Sequence, residues 1–287
     1  MSDQVSATFV QNYHDTLQYL VQQKGSRLRT AVRVEGMTGQ TGFFDQIGAV
    51  EAVERIARHA DSPLVHTPHA RRRVAARDFE WGDLIDTQDK LKMLAEPGSS
   101  YVQSAAWALG RKMDDLIIQA AFGTAYTGQT GATSIDFPAE QQVAAGAAGL
   151  TLAKLLSAKE LLDAADADPD EPRFVACSAK QISDLLSTTE VKSADYNTVK
   201  ALVQGQIDTF LGFKFIRTER LLTNSSSERR VMAWCQPGLL LAVNGDIEAR
   251  ITERPDKAFA LYAYAKMSAG AVRMEEDRVV EIPCVES

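Results

Sequence analysis

The feature that most constrains this sequence is a strongly charged segment, residues 40–85, that leads into a long helical pattern at residues 99–122. Charges of both signs are spread along the segment, which argues against a buried core. They include the arginines Arg55, Arg58, Arg71, Arg72, Arg73 and Arg77 and the carboxylates Glu51, Glu54, Asp78 and Glu80.

The segment is predicted to form a long hairpin. No Pro or Gly falls between His69 and Trp81, and the aromatic residues Phe79 and Trp81 favour a strand. The returning arm is therefore predicted to be extended. The descending arm, residues 43–56, is ambiguous, because its apolar residues also recur at a three-residue spacing that suits a helix. The sequence His-Ala-Asp-Ser-Pro-Leu at residues 59–64 is a turn signal between the arms.

The length of this hairpin indicates that it needs a surface to lie on. With about 15 residues in each arm it would reach ~50 Å, at ~3.3 Å per residue. An isolated two-stranded hairpin is only marginally stable in water. Because its charges argue against a place in the core, we expect that surface to come from a neighbouring subunit.

The helix at residues 99–122 is predicted to begin at a serine N-cap, Ser99 or Ser100, after the helix-breaking pair Pro97-Gly98. At 1.5 Å per residue it would span ~35 Å, about the width of a small domain. One face is apolar and consists of Tyr101, Ala105, Leu109, Met113, Leu116, Ile117 and Ala120.

The remaining pattern predicts a mixed α+β chain. A flexible loop is expected at residues 123–131. Helices are expected at 7–24, 86–95, 152–166 (capped by Thr151), 179–187 and 198–204. Strands are expected at 134–137, 173–177, 211–216, 230–235, 239–243, 247–252, 258–274 and 279–282.

Composition excludes several classes of function. The 287 residues carry a net charge of −7, so no basic field covers the chain and a dedicated nucleic-acid binder is not expected. We see neither a secretory signal nor an apolar run long enough for a membrane helix. Cys177, Cys235 and Cys284 are odd in number and widely spaced, which indicates reduced thiols in a cytoplasm.

Three motifs resemble known binding sites, but each lacks a feature that the site requires. Residues 123–130 nearly match a phosphate-binding loop, but Gln129 stands where the lysine belongs. Residues 166–177 alternate carboxylates as a calcium loop does, yet Glu171 replaces the turn glycine. Three histidines near the hairpin tip lack an accompanying ligand helix; they are His59, His66 and His69. The sequence therefore predicts no catalytic residue, no metal site and no cofactor.

Several stretches resemble the major capsid proteins of tailed bacteriophages. They are the run from His59 to Val74, the sequence Arg-Asp-Phe-Glu-Trp-Gly-Asp-Leu-Ile-Asp at 77–86, residues 89–94, Gly110 to Ala125, and Phe-Leu-Gly-Phe-Lys-Phe-Ile at 210–216. The resemblance extends from about residue 40 to 222 and is looser elsewhere. Its motifs are structural signatures rather than catalytic ones.

This resemblance implies a Hong Kong 97-like fold. Residues 1–39 would be an N-terminal arm and 40–85 an extended loop lying over a neighbouring subunit. Residues 86–170 would form the peripheral domain, with its spine helix at 99–122. Residues 171–244 would be the axial domain at the centre of each hexamer or pentamer, and 245–287 would return to the peripheral domain.

By the same resemblance, the chain would be a non-enzymatic subunit that assembles into an icosahedral shell around double-stranded DNA. Partners would be copies of itself, possible scaffold, portal and decoration or cement proteins, and packaged DNA bound without sequence preference, with no membrane. It would occur in the host cytoplasm before assembly and in the virion capsid afterwards. The alternative is an encapsulin-like compartment enclosing a cargo enzyme. Candidate contacts between subunits are Arg55, Arg58, Arg71, Arg72, Arg73, Arg77, Phe79 and Trp81.

Overall fold

The computed structural model describes residues 21–58, 61–62, 64–85, 97–187 and 209–286. The helices predicted at 86–95 and 198–204 lie outside these residues, as does most of the helix predicted at 7–24. The described end of that last segment, residues 21–24, is not helical.

Three helices and thirteen strands make up the described chain. The helices are α1 (Pro97–Phe122), α2 (Leu152–Ala164) and α3 (Ala179–Ser187). The strands are β1 (Arg33–Gly36), β2 (Thr41–Ile47), β3 (His69–Ala75), β4 (Arg77–Ile85), β5 (Ala125–Thr127), β6 (Thr133–Ile135), β7 (Arg173–Cys177), β8 (Thr209–Phe210), β9 (Phe213–Arg217), β10 (Arg229–Cys235), β11 (Leu239–Arg254), β12 (Ala260–Arg273) and β13 (Val279–Cys284).

These strands form three sheets. One has the order β1-β11-β12-β4, the second β13-β10-β7-β9-β8, and the third β2-β3-β5-β6. The strands predicted at 173–177 and 230–235 are confirmed as β7 and β10, which pair antiparallel. The loop predicted at 123–131 is partly wrong, because β5 lies within it and pairs with β3.

Helix α1 ends at Phe122 as predicted but begins at Pro97. Neither serine is therefore its N-cap, and the proline occupies the first turn, where its missing N–H is not needed. The predicted apolar face is largely buried, as at Leu109 and Ile117. The buried carboxylate of Asp114 accepts backbone N–H groups from Arg27 and Leu28 at 3.0–3.2 Å.

Helix α2 confirms the predicted cap, because the Thr151 side chain accepts the backbone N–H of Lys154. A β-region residue with a hydroxyl satisfies one of the unpaired N–H groups of a first helical turn. Lys154 itself is buried and donates to the carbonyls of Ala148 and Pro283. The helix ends at Ala164, two residues before the predicted end.

The hairpin prediction is correct only at its base. Strands β2 and β3 pair over seven residues, from Thr41 opposite Ala75 to Ile47 opposite His69. The returning chain breaks at Ala76 and continues as β4, which pairs with β12 in a different sheet. The paired hairpin is therefore ~23 Å long, at ~3.3 Å per residue, and not ~50 Å.

Strand β11 corrects a second prediction, since it runs without a break where two strands were expected. Asn244-Gly245-Asp246 is a turn signal in sequence, but here it lies inside the sixteen-residue strand. Strand β1 pairs with β11 only over residues 240–243, and β12 is the other neighbour of β11 in the sheet. The extended backbone nevertheless continues through these three residues, against their local preference.

The chain divides into two compact units. One comprises Met1–Ser26, Asp78–Arg111 and Gly245–Met267, and the other comprises Arg27–Arg77, Lys112–Asn244 and Ser268–Ser287. The second contains a dense core at the β7–β10 pair, where Phe174 and Trp234 stack with ring centroids 5.7 Å apart. Trp234 is fully buried, and its indole N–H donates to the carbonyl of Ala31.

Candidate assembly interface

The candidate contacts begin on an arm, residues 48–68, that continues the β2–β3 hairpin. Its described residues form neither helix nor strand. At the base of the arm the backbone N–H of Gly48 donates to the carbonyl of Pro68 at 2.9 Å. The two ends of the arm are therefore held together.

The arm exposes apolar side chains. Val53, Ile56 and Leu64 are 61%, 94% and 84% exposed. Arg55 and Arg58 are exposed on the same stretch, and Arg55 donates only to the nearby carbonyl of Ala57 among the described residues. Several large apolar groups on one segment without secondary structure are typical of a surface that is covered by a partner.

Arg71 forms its ion pair within the hairpin itself. Its guanidinium donates two hydrogen bonds to Asp45 on β2, at 2.5 and 3.2 Å, and lies 5.7 Å from the ring centroid of Phe43. The hydrogen bond from Arg71 holds the pKa of Asp45 below its usual value. The two residues lie directly opposite each other in the β2–β3 register, so the pair joins the two strands at the surface.

Arg72 is buried, with 5% of its surface exposed. It donates to the carbonyl of Met274 at 2.8 Å and to both carboxylate oxygens of Glu276 at 2.9 and 2.6 Å. The Nη1 atom is buried without a partner among the described residues. Its guanidinium is therefore buried and bound within the chain, and its predicted contact with another subunit stays a prediction.

Arg73 and Arg77 differ from these two arginines. Neither forms an ion pair with any carboxylate in the described part of the chain. The guanidinium of Arg73 lies 4.7 Å from the ring centroid of Tyr126, its cross-strand neighbour. Together with Arg77 it lines a cavity of about 290 Å³.

Phe79 and Trp81 lie two residues apart on β4, so they share one face of the strand. Both are half-buried, whereas Asp78 and Glu80 on the opposite face are exposed. Each of the two rings therefore keeps part of its surface exposed.

Sequence reasoning found the arginines but missed most of their partners. Asp45 lies 26 residues from Arg71, and Glu276 lies 204 residues from Arg72. No local signal predicts pairs at such separations. Strand β5 supplies the Tyr126 ring that lies against Arg73. The alternation of Tyr126 with small residues was the one sequence signal for this strand.

The failed motifs gain no support. In the region that the structure describes, no group of three or more His, Cys, Asp or Glu residues is arranged to hold a metal ion.

Burial raises the pKa of Cys177 and Cys284 to about 12, which keeps these thiols protonated. No described helix has the length and apolar character needed to cross a membrane.

The comparisons with known proteins point in one direction. The family model for phage capsid protein matches residues 5–286. Among curated proteins no match is found. The capsid of Ralstonia phage GP4 superposes with a TM-score of 0.79 at 10% identity, covering 98% of this chain and 96% of that chain.

Two further solved structures agree. The capsid structure of cyanophage P-SCSP1u gives a TM-score of 0.71 at 14% identity, covering 99% of this chain and 95% of that one. Mycobacterium phage Che8 gives 0.70 at 16% identity, covering 96% and 97%. At these identities the structures show a shared fold, which confirms the predicted α+β capsid fold. With the family model matched over nearly its whole length, the chain belongs to the phage capsid protein family.

Proposed function

We propose that this chain is the major capsid protein of a phage, and that its copies assemble into hexamers and pentamers that close into an icosahedral shell around double-stranded DNA. The exposed arm at residues 48–68 is the observation that carries the proposal. A segment with several exposed apolar residues and no regular structure gains most of its burial from another molecule. In a shell that molecule is a copy of the same chain.

The parts of the chain have matching roles in this proposal. Residues 40–85 extend over a neighbouring subunit, 86–170 with 245–287 form the peripheral domain, and 171–244 gather at the capsomer centre. Residues 1–39 form the N-terminal arm. Scaffold, portal and cement proteins are further partners in the proposal, and the subunit occupies the host cytoplasm before it joins the virion. The encapsulin-like alternative is not favoured by the family match.

Shortening the exposed arm at residues 48–68 tests the proposal. Because Gly48 and Pro68 are already joined by a backbone hydrogen bond, residues 49–67 can be replaced by Asn-Gly, a pair that forms tight hairpin turns. We expect this variant to keep the thermal midpoint of wild type, since the seven-residue β2–β3 pairing remains. It should nevertheless fail to form particles in negative-stain electron microscopy.

A second variant separates arm length from arm chemistry. Replacing Val50, Val53, Ile56 and Leu64 by serine keeps the length and removes the exposed apolar groups. Assembly should again be lost while the fold is kept. Particles of normal size and yield from the shortened variant would contradict the proposal.

A further inference from the structure

We infer a role for the cavity lined by Arg73 and Arg77 in the contact between subunits. This inference rests on the proposed function and deepens it. Of the four arginines between residues 71 and 77, Arg71 and Arg72 are neutralised within the chain, by Asp45 and Glu276. The other two have no carboxylate partner among the residues that the structure describes. Two arginines without a carboxylate partner among the described residues therefore line one cavity of about 290 Å³.

Arg73 is held in place. Its backbone pairs with Tyr126, whose ring lies 4.7 Å below the guanidinium. Its aliphatic stem packs on Gly131, where an added Cβ would lie 2.6 Å from the Arg73 Cδ atom. The φ angle of Gly131 is +65°, a conformation that residues other than glycine adopt at a cost. The cation is therefore preorganised, which lowers the entropy lost when a ligand binds.

The walls of the cavity suit an anion. Leu116, Ala120 and Val272 supply apolar wall, and Gln119, Thr124 and Tyr126 supply polar groups. The volume is several times the ~30 Å³ that one water molecule occupies in the liquid, so a side chain fits. Guanidinium groups bind carboxylates through two parallel hydrogen bonds.

The end of helix α1 lies at this cavity and would by itself oppose an anion, because a helix C-terminus carries partial negative charge. The buried guanidinium of Arg273 counters it. It donates to the carbonyls of Ala121 and Gly123, at 2.9 and 2.8 Å, in the last turn of the helix. A cation therefore offsets the partial negative charge at this helix end.

We propose that this cavity receives a glutamate carboxylate from the arm of a second copy, Glu51 or Glu54. Both glutamates are exposed, and neither forms an ion pair with a described residue. They lie on the same stretch as Val50 and Val53, whose exposed apolar side chains would be stabilised by burial against another molecule. The charges are complementary, and the apolar neighbours of the glutamates match the apolar wall of the cavity.

Charge reversal in both partners tests this assignment. The variants are Arg73→Glu with Arg77→Glu, and Glu51→Arg with Glu54→Arg. At low salt each double variant alone should give at least roughly tenfold fewer particles than wild type, because like charges then face each other across the contact. Circular dichroism and the thermal midpoint of each variant establish that it is folded.

Mixing the two double variants gives the decisive readout. In an equal mixture each arm finds a cavity of opposite charge on the other variant, so ring-shaped oligomers with an even number of subunits should reappear. A control pair at exposed charges outside the contact, Arg250→Glu with Glu253→Arg, should assemble like wild type.

The outcomes separate this inference from the proposed function. Wild type that never assembles would overturn both. Wild type that assembles while the Arg73 and Arg77 variant assembles equally well would overturn the cavity assignment alone. If the Arg73 and Arg77 variant fails to assemble and mixing it with the Glu51 and Glu54 variant does not restore assembly, these glutamates are not the occupants of the cavity. That result is expected if another anion fills the cavity.

Discussion

Replacing Arg273 by methionine should be among the most damaging single substitutions in this chain. The side chain is fully buried on strand β12 and donates hydrogen bonds to three carbonyls, those of Ala121, Gly123 and Ile135, at 2.8–3.2 Å. Its guanidinium also lies 5.2 Å from the ring centroid of Phe137. One side chain thus connects the end of helix α1, the β5–β6 hairpin and strand β12.

The size of the effect follows from these contacts. Methionine fills most of the volume but leaves three carbonyls without this donor. The buried carbonyl of Ala121 costs about 1–3 kcal/mol when unpaired, and the part-buried carbonyls of Gly123 and Ile135 cost less, because water can reach them. Glu276 also loses one of its two cations, since it lies 3.5 Å from Arg273. Arginine carries a desolvation cost that methionine avoids, which offsets part of the loss. We therefore expect the free energy of unfolding to fall by about 4 kcal/mol.

Differential scanning calorimetry of unassembled protein measures this directly. At about 2–4 °C per kcal/mol for a chain of this size, the thermal midpoint should fall by roughly 8–16 °C. Arg250→Met is the matched control, because the Arg250 side chain is 72% exposed and the same replacement there should change the midpoint by no more than about 1 °C. A midpoint for the Arg273 variant within about 2 °C of wild type would refute the argument that this side chain organises its surroundings.

Three further predictions concern other contacts within the chain. Gly270→Ala should destabilise by about 2 kcal/mol, because the new Cβ would lie 2.4 Å from a backbone carbonyl, whereas Gly36→Ala meets nothing within 4 Å. Asp114→Ala should cost about 3 kcal/mol, measured by urea unfolding, since the buried N–H of Leu28 and the part-buried N–H of Arg27 lose their acceptor. Glu286→Gln should destabilise at neutral pH, because Arg229 holds the pKa of Glu286 below its usual value, and the difference from wild type should vanish in acid.

Each of these has an outcome that would count against it. Equal stabilities of the Gly270 and Gly36 variants would mean that the strand can shift to make room. An unchanged urea midpoint for the Asp114 variant would mean that water replaces the carboxylate. For Glu286 the lowered pKa means that its stabilisation is present above the ordinary carboxyl range and is lost as the pH falls through the lowered pKa. A difference that persists at pH 2 would have another cause.

Local pattern in the sequence was enough to predict several elements. The end of α1 at Phe122, the Thr151 cap and the buried strand at 173–177 all depend on residues within a few positions of one another. Helix periodicity, side-chain capping and continuous apolar runs are signals of this kind. The capsid resemblance was also visible from short stretches along the chain.

Features that depend on distant partners were not predictable. The turn signal at Gly245 is overridden within the sixteen-residue strand β11, and β4 leaves the hairpin because β12, almost 200 residues later, pairs with it. The arginine triplet looked uniform in sequence, yet the structure places Arg71 on Asp45, Arg72 on Glu276 and Arg73 over a tyrosine. Which cations remain available for a neighbour is decided by these long-range contacts.

Whether the chain builds a shell from copies of itself can be seen by cryo-electron microscopy of the purified protein at high concentration. We expect closed shells or free capsomers in which subunits form rings of five and six, with the arm at residues 48–68 of each subunit lying on its neighbour. A chain that stays monomeric across protein concentration, salt and pH, or particles in which that arm contacts no other subunit, would contradict it.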